Sequence, residues 1–451
     1  MSLMQISQKK IKRRFLGLIL GLSCLIGLYG CSKKTVVEEV VEEVVIEETI
    51  VEDIEINEDL FNVKNITLND TALYRVINDE LIEVGNVNAN VNLDMSDITH
   101  LNYLNIKDTD LYVNTKDLQV SERWYEKRNH LVPYNMNIKT KSSYTLYDVK
   151  GNPLMTINSE DEYPLYVIED DKYGILFQNE IVYMDKDNVN SMYENLNSDI
   201  EMGNELAVLM YHFFYDESQG ESRKDGNFVE VNELREQLQT LQDNGYSTLT
   251  MQEVLLFMEN KANIPSRSVV ITIDDGDPSV FKYAYPVIKE FKMNATLFLI
   301  AGHEDPILNY DYIMMREDGL ELQSHGFLMH QGGCSQGHGG RLLCVDYETG
   351  VEDTRMSLDY VDGGFVYCYP FGDVNENAKK IVGDAGVKMA FTTVFGKIKP
   401  GMDLLELPRI RVTGGNGIKA FMNNINWGVI WQKKEIIMMF LALVKMPVNK
   451  R

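Results

Sequence analysis

Apolar and polar positions change their period twice along the chain. Between residues 60 and 195, short segments rich in Tyr, Val and Ile alternate with Asn, Asp and Gly, the pattern of strands joined by tight turns. Residues 144–147, the turn Asp148-Val-Lys-Gly151 and residues 153–157 predict a hairpin. Residues 163–168, 172–177 and 180–184 predict further strands. Leu111-Tyr-Val113 ahead of Lys116-Asp117 is echoed by Val182-Tyr-Met184 ahead of Lys186-Asp187, which suggests two small β modules in tandem. From 205 to 425 the rhythm becomes α/β. Residues 207–211 read as a buried strand ending at His212, and 231–244 as an amphipathic helix with Leu234, Leu238 and Leu241 on one face. A second helix is expected at 251–259, and residues 269–276 run Val-Val-Ile-Thr-Ile-Asp-Asp-Gly, an unbroken apolar stretch suited to a strand buried on both faces. Val280, Ala284, Val287, Ile288 and Phe291 mark the next helix. Strands at 295–300, 321–324, 365–369 and 388–392 and a helix at 377–385 follow. Roughly 220 residues of alternating elements predict one α/β barrel.

The ends of the chain follow neither pattern. Residues 1–30 carry five basic groups and no acids, then an apolar stretch, then Leu28-Tyr29-Gly30-Cys31. The apolar stretch has the length of a signal peptide. Gly30-Cys31 resembles the lipobox of bacterial lipoproteins, which implies cleavage before Cys31 and a lipid on its thiol. An uncleaved N-terminal anchor is the alternative, and both place the protein on the extracellular face of the cytoplasmic membrane. Residues 31–59 repeat valine pairs with glutamate pairs and read as an acidic, solvated stalk. In the tail, 426–451, the apolar run 436–444 is too short to span a bilayer and is expected to pack as a helix on the barrel.

A formal charge of −25 disfavours nucleic acid as a partner, since both would be polyanions. Neutral sugar polymers are not excluded. Five cysteines are too few for a disulfide scaffold. Outside the cytosol a Cys334–Cys344 bridge and free buried thiols are both open.

The chemistry centres on Asp274 and Asp275, which leave the core strand at its carboxyl end, where parallel α/β folds build their sites. Alone, Asp-Gly after a strand is an ordinary turn. Fifty residues on, Ser324-His325-Gly326-Phe327-Leu328-Met329-His330 changes the weighing, because a carboxylate and two imidazoles form a usual ligand set for a catalytic divalent metal. Asp275, His325 and His330 would supply the ligands and Asp274 the base that takes a proton from water. Five residues along a helix separate side chains by about 140°. The two histidines are therefore expected on a strand end and a loop.

Thr272-Ile-Asp-Asp-Gly276, with the paired histidines, resembles the signature of the NodB-homology polysaccharide deacetylases, carbohydrate esterase family 4. The similarity runs from about 206 to 412. It implies an irregular (β/α)7 barrel, Asp274 as catalytic base, and a divalent metal, expected to be zinc, on Asp275, His325 and His330. The five-residue histidine spacing is similar to that of deacetylases acting on poly-N-acetylglucosamine. The family's third motif places an arginine where Cys368 stands here. By the same motif the oxyanion donor maps to the backbone N–H of Tyr369. The family's terminal general-acid histidine has no counterpart, since no histidine follows His338. His212 is then the expected acid, with a strand-end histidine bonded to backbone as the equal alternative. His303 and His338 are weaker candidates, His100 and His130 read as structural or exposed, and the glycine-rich loop 332–340 reads as cleft wall. The β region is loosely similar to bacterial SH3-like wall-associated modules.

These readings converge on a lipid-anchored deacetylase of N-acetylhexosamine residues in peptidoglycan or a poly-N-acetylglucosamine-type polysaccharide. A catalytically weakened wall-binding barrel and an O-acetyl esterase with the same site are the competing readings.

Overall fold

The computed structural model describes residues 58–121, 129–195, 201–302 and 320–426. The leader with Cys31, the stalk up to residue 57, His303 and the tail from 427 lie outside the described residues.

Seven parallel strands form a closed barrel: β1 (Ala207–Tyr211), β2 (Ser268–Ile273), β3 (Thr296–Leu299), β4 (Glu321–Ser324), β5 (Val366–Cys368), β6 (Met389–Phe395) and β7 (Leu407–Arg411). β1 closes the ring by pairing with β2, Ala207 opposite Val269, and with β7, Leu209 opposite Ile410. Every residue of β1, β2 and β3 is buried, so these strands need apolar side chains on both faces. Alternate positions divide between two layers. Leu209, Tyr211, Ile271, Ile273, Leu297 and Leu299 pack outward on helix residues such as Leu234, Leu238, Val287 and Ile288. Val208, Val270, Phe298, Val366 and Phe391 fill the interior.

The helices are α1 (Val231–Asp243), α2 (Met251–Met258), α3 (Tyr285–Glu290), α4 (Tyr347–Tyr360), α5 (Glu376–Asp384) and α6 (Gly417–Ile425). α2 starts with a capping box in which Thr250 and Glu253 satisfy each other's backbone N–H groups. Three barrel elements, β7, α4 and α6, were not legible from periodicity. β7 contains Pro408 and two arginines, which argue against a buried strand. α4 buries Gly350, Asp353, Thr354 and Ser357 beside Val351 and Leu358, so its inner face does not read as apolar. A Cβ on Gly350 would lie 2.7 Å from the Cδ1 of Ile381 on α5, so a larger residue there would have to push that side chain aside.

The N-terminal region is antiparallel β throughout, with strands between Lys64 and Glu194. The echo in the sequence corresponds to a repeated unit: strand, 3-10 turn, strand, at Tyr112–Asn114, Thr115–Asp117 and Leu118–Val120, and again at Glu180–Asp185, Lys186–Asn188 and Val189–Glu194. The two halves share a sheet, since Pro153–Ile157 pairs with Glu80–Val87. They also share a core joining Leu73, Met95 and Leu104 to Leu146, Met155 and Ile175.

A further apolar cluster welds this region to the barrel. Leu131, Val167, Ile181 and Tyr183 pack with residues 249–264 and, through them, with Val208 and Val270 inside the barrel. Val132 donates to the Asn263 carbonyl and Ile168 to that of Lys261, both at 2.9 Å. Val167→Asp would bury an unpaired carboxylate in this seam at a cost of roughly 3–5 kcal/mol. Calorimetry is expected to show one transition, lowered as a whole. Two transitions, with that of the barrel unmoved, would contradict a shared core.

Candidate active site

The site forms where β1, β2 and β4 leave the barrel at their carboxyl ends. Alternation along β2 sends Thr272 and Asp274 inward. Asp274 is 2% exposed, and its N–H donates to the Tyr211 carbonyl at 3.0 Å, extending the ladder one residue past the strand. At Asp275 the backbone becomes left-handed, with φ +76°. A non-glycine residue there stores strain typical of functional turns. The turn separates the two carboxylates into different surroundings.

Asp274 faces a cation that sequence reasoning missed. Arg409 of β7 is fully buried and grips Asp274 with two parallel bonds of 2.7 Å, Nη1 to Oδ1 and Nη2 to Oδ2. Its remaining donors reach the Thr392 carbonyl at 3.0 Å, Thr272 Oγ1 at 3.1 Å and Cys368 Sγ at 2.9 Å. Burial alone would raise the Asp274 pKa, but the Arg409 guanidinium outweighs it and holds the carboxyl well below the usual carboxylate range. The arginine absent at Cys368 is thus supplied from another strand. The only signal in the sequence was a basic residue amid the apolar positions of Leu407-Pro-Arg-Ile-Arg411. Cys368 is the free, buried cysteine of the described residues, and burial pushes its thiol up.

Asp275 faces the two histidines. His325 directly follows β4 and His330 lies on the loop beyond, as a strand end and a loop. Their rings approach to 4.5 Å between centroids. Asp275 Oδ1 lies 3.4 Å from His325 Nε2 and 3.5 Å from His330 Nε2. Three ligands about 2.0–2.2 Å from one tetrahedral ion would be separated by about 3.4 Å, so the spacing fits a divalent cation. His325 Nδ1 sits 2.8 Å from the Cys368 carbonyl. That contact requires a proton on Nδ1 and leaves the Nε2 lone pair for a metal. Burial lowers the His330 pKa to about 4 and keeps that ring neutral. For His325 burial also lowers the pKa, but Cys368 and Asp275 outweigh it and raise the net value. Without a metal, Nε2 therefore holds a proton against Asp275, and a cation bound there would have to displace it.

A second trio, Asp274, His325 and Cys368, also has ligand atoms close together. There Arg409 already donates to both the carboxylate and the sulfur. A second cation would meet the guanidinium charge, so the Asp275 set fits a metal and the Asp274 set does not.

His212 follows β1 at the same rim. Its Nε2 is 3.9 Å from Asp274 Oδ2, beyond hydrogen-bond length, and burial lowers its pKa. Among the described residues its ring makes no hydrogen bond to backbone.

Tyr369 is a correction. Its N–H donates to the Phe391 carbonyl at 3.0 Å as part of the β5–β6 ladder, and its hydroxyl donates to the Leu405 carbonyl at 2.9 Å. That N–H is spent and cannot serve as an oxyanion donor. Gly372 and Asp373 also spend theirs, on the Tyr369 and Pro370 carbonyls. The Phe371 N–H has no partner among the described residues. Phe371 is left-handed, φ +60°, and its ring lies 4.8 Å from that of His330.

Two further aspartates hold the loops in place. Asp353 on α4 accepts the N–H groups of Phe327 at 3.1 Å and Leu328 at 2.6 Å, fixing the loop that carries His330. Asp373 accepts from the N–H groups of His338 and Gly340, both at 2.9 Å, and lies 2.8 Å from His338 Nδ1. Cys334 and Cys344 are bridged across the same loop, which settles the choice between bridge and free thiols. His338 is pinned to Asp373 at the surface, and His130 sits at the opposite, amino end of the barrel strands beside Glu253.

Residues 261–390 match the family model described as polysaccharide deacetylase. The chain is 28% identical over 221 residues to the poly-beta-1,6-N-acetyl-D-glucosamine N-deacetylase of Staphylococcus aureus, covering 46% of this chain and 75% of that protein. It is 29% identical over 225 residues to a putative polysaccharide deacetylase of Bacillus subtilis, covering 48% and 74%. Among solved structures it is similar to the Streptococcus pyogenes deacetylase PplD in complex with acetate, with a TM-score of 0.43 and 23% identity over 49% of this chain and 98% of that one. Asp274, Asp275, His325 and His330, gathered at one rim of a seven-stranded barrel, all lie within the residues that match the polysaccharide deacetylase model.

Proposed function

We propose that the barrel hydrolyses the N-acetyl amide of N-acetylhexosamine residues in a poly-N-acetylglucosamine-type polysaccharide, releasing acetate. The observation that carries this reading is the meeting of Asp275, His325 and His330 at metal-ligand spacing beside a buried, arginine-held carboxylate. The Staphylococcus aureus relative, by its name, acts on such a polymer. The leader ending in Gly30-Cys31 supports a lipid anchor on the extracellular face of the cytoplasmic membrane.

Asp275, His325 and His330 would hold the cation, zinc on the strength of one carboxylate and two imidazoles. When bound, a divalent cation acidifies water and polarises the acetyl carbonyl. Asp274, ionised throughout the working range, takes the proton as water attacks. Its two oxygens retain lone pairs after the bonds to Arg409. The Phe371 N–H, unpartnered among the described residues, is the candidate donor to the developing oxyanion. His212 is neutral at rest because burial lowers its pKa, so it acts as a relay. One ring nitrogen takes up the proton that Asp274, 3.9 Å away, accepted from water. A proton then passes to the departing amine, which leaves both groups in their starting states. Arg409 positions Asp274, a role that answers the main argument for a weakened, merely wall-binding barrel.

Asp274→Asn should cut acetate release from poly-N-acetylglucosamine by roughly 10²–10⁴-fold while the protein retains its zinc. Asp275→Ala should lose both. Full activity in Asp274→Asn would end its role as base. His212→Gln should lower kcat by about 10²-fold or more at unchanged zinc affinity, measured by competition with a chromogenic chelator. An unchanged kcat would move the acid elsewhere.

Arg409→Leu leaves a buried carboxylate without its partner, a loss of roughly 3–5 kcal/mol in stability. The sign for pH follows from the present depression of the Asp274 pKa. Removing the guanidinium raises that pKa, so the acid limb of the rate profile should move to higher pH, with partial recovery in Arg409→Lys. A profile that drops in height without moving would assign Arg409 a structural role only.

A further inference from the structure

Far from the catalytic rim, a cleft of about 640 Å³ opens where the β region meets the barrel. Its walls come from 90–93, the 148–152 turn, the 177–183 hairpin and α2. Thr250, Glu253 and Asn294 precede β2 and β3, so the cleft lies at the amino ends of the strands. Asp274 and His325 lie at the carboxyl ends, roughly 20 Å away by the length of β2. The apolar seam of Leu131, Val167, Ile181 and Tyr183 with the barrel runs alongside, so the two walls belong to one packed body.

The lining specifies a chemistry. Eight of its residues are Asn or Gln, among them Asn90, Asn92, Asn129, Asn152, Gln252 and Asn294. Gln178, Asn152 and Asn294 already donate within the protein, to the Asp94 carbonyl, Asp148 and the Thr248 carbonyl. Asn90, Asn92 and Gln252 face the cleft as carboxamides that both donate and accept, matching hydroxyl and acetamido groups. On a chain of charge −25 the lining is close to balanced, with Lys64 and Lys150 against Asp148, Glu180 and Glu253, and Lys64 is 3.7 Å from Glu180. Phe177 and Tyr183 border the cleft but are 9% and 5% exposed, so they form part of its packed wall and leave recognition to the polar groups. At the floor, Glu253 and Asn294 are 3% and 7% exposed, held by the His130 N–H and by Thr248. The volume falls within the range of small-ligand sites.

We infer that this cleft is a second, non-catalytic glycan site that binds a few residues of an uncharged N-acetylated polysaccharide. It would hold one stretch of a long chain while another stretch reaches the catalytic rim. The inference takes only its choice of probe from the function proposed above. An anionic peptide fits less well, because the cleft offers no excess of positive charge.

The test uses the full chain carrying Asp274→Asn, so that bound glycan is not turned over. Hydrogen exchange is followed with and without a β-1,6-linked N-acetylglucosamine hexamer. Exchange should slow at 148–152 and 250–256 as well as near the catalytic rim. Asn92→Trp and Gln252→Trp, which fill the cleft from opposite walls, should each remove the first effect and leave the rim effect in place, at unchanged Tm. Protection confined to the rim, cleft protection that survives both tryptophans, or stronger cleft protection by a glutamate hexapeptide would each overturn the inference. Because binding is read without turnover, absence of acetate release in the parent protein would count against the catalytic reading and leave this one standing.

Discussion

The bidentate pair between Arg409 and Asp274 governs the arrangement of the site. A carboxylate that is 2% exposed would ordinarily take up a proton. Two bonds of 2.7 Å to a fully buried guanidinium keep it charged. The same pair decides which of two adjacent aspartates is free to meet a metal. Asp274 is already neutralised, whereas Asp275, turned away by its left-handed backbone, has the two histidines as the near partners of its Oδ1 among the described residues. One buried arginine thereby gives two adjacent aspartates different electrostatic surroundings, an instance of neighbouring titratable groups being pushed apart by their environment.

The barrel makes that pair reachable. β7 closes the ring against β1, which brings Arg409 across the interior from β2. The loop residues are then fixed by groups outside the chemistry. Asp353 holds the backbone ahead of His330, and Asp373 holds the loop bridged by Cys334 and Cys344 against the segment containing Phe371. Sites of this kind need such supports, because ligand atoms misplaced by an ångström lose much of their effect. At the other end of the barrel, the interior core continues into the β region. The antiparallel modules are part of the folding unit, beyond whatever they bind.

The four residues that meet at the rim were legible because each sits next to a strong periodic signal. Asp274 and Asp275 end the most apolar run of the barrel, and His325 follows a predicted strand. The supporting residues were hidden for the opposite reason. Arg409 lies in a strand whose proline and arginines mask its burial. Asp353 lies on a helix whose inner face is glycine, threonine and serine. Tyr369 was misassigned because a motif position does not say which N–H a β ladder has already used, and the Phe391 carbonyl uses this one. The welding of the β region to the barrel was likewise not legible, since Leu131, Val167, Ile181 and Tyr183 look like ordinary core positions of the modules they belong to.

The decisive measurement is the anomalous signal of zinc in a crystal of the protein. A single ion is expected about 2.0–2.2 Å from Asp275, His325 Nε2 and His330 Nε2, with Arg409 still bonded to Asp274. An ion seated between Asp274 and Cys368 with Arg409 displaced, or no ion at the rim in saturating zinc, would contradict the division of labour between the two aspartates.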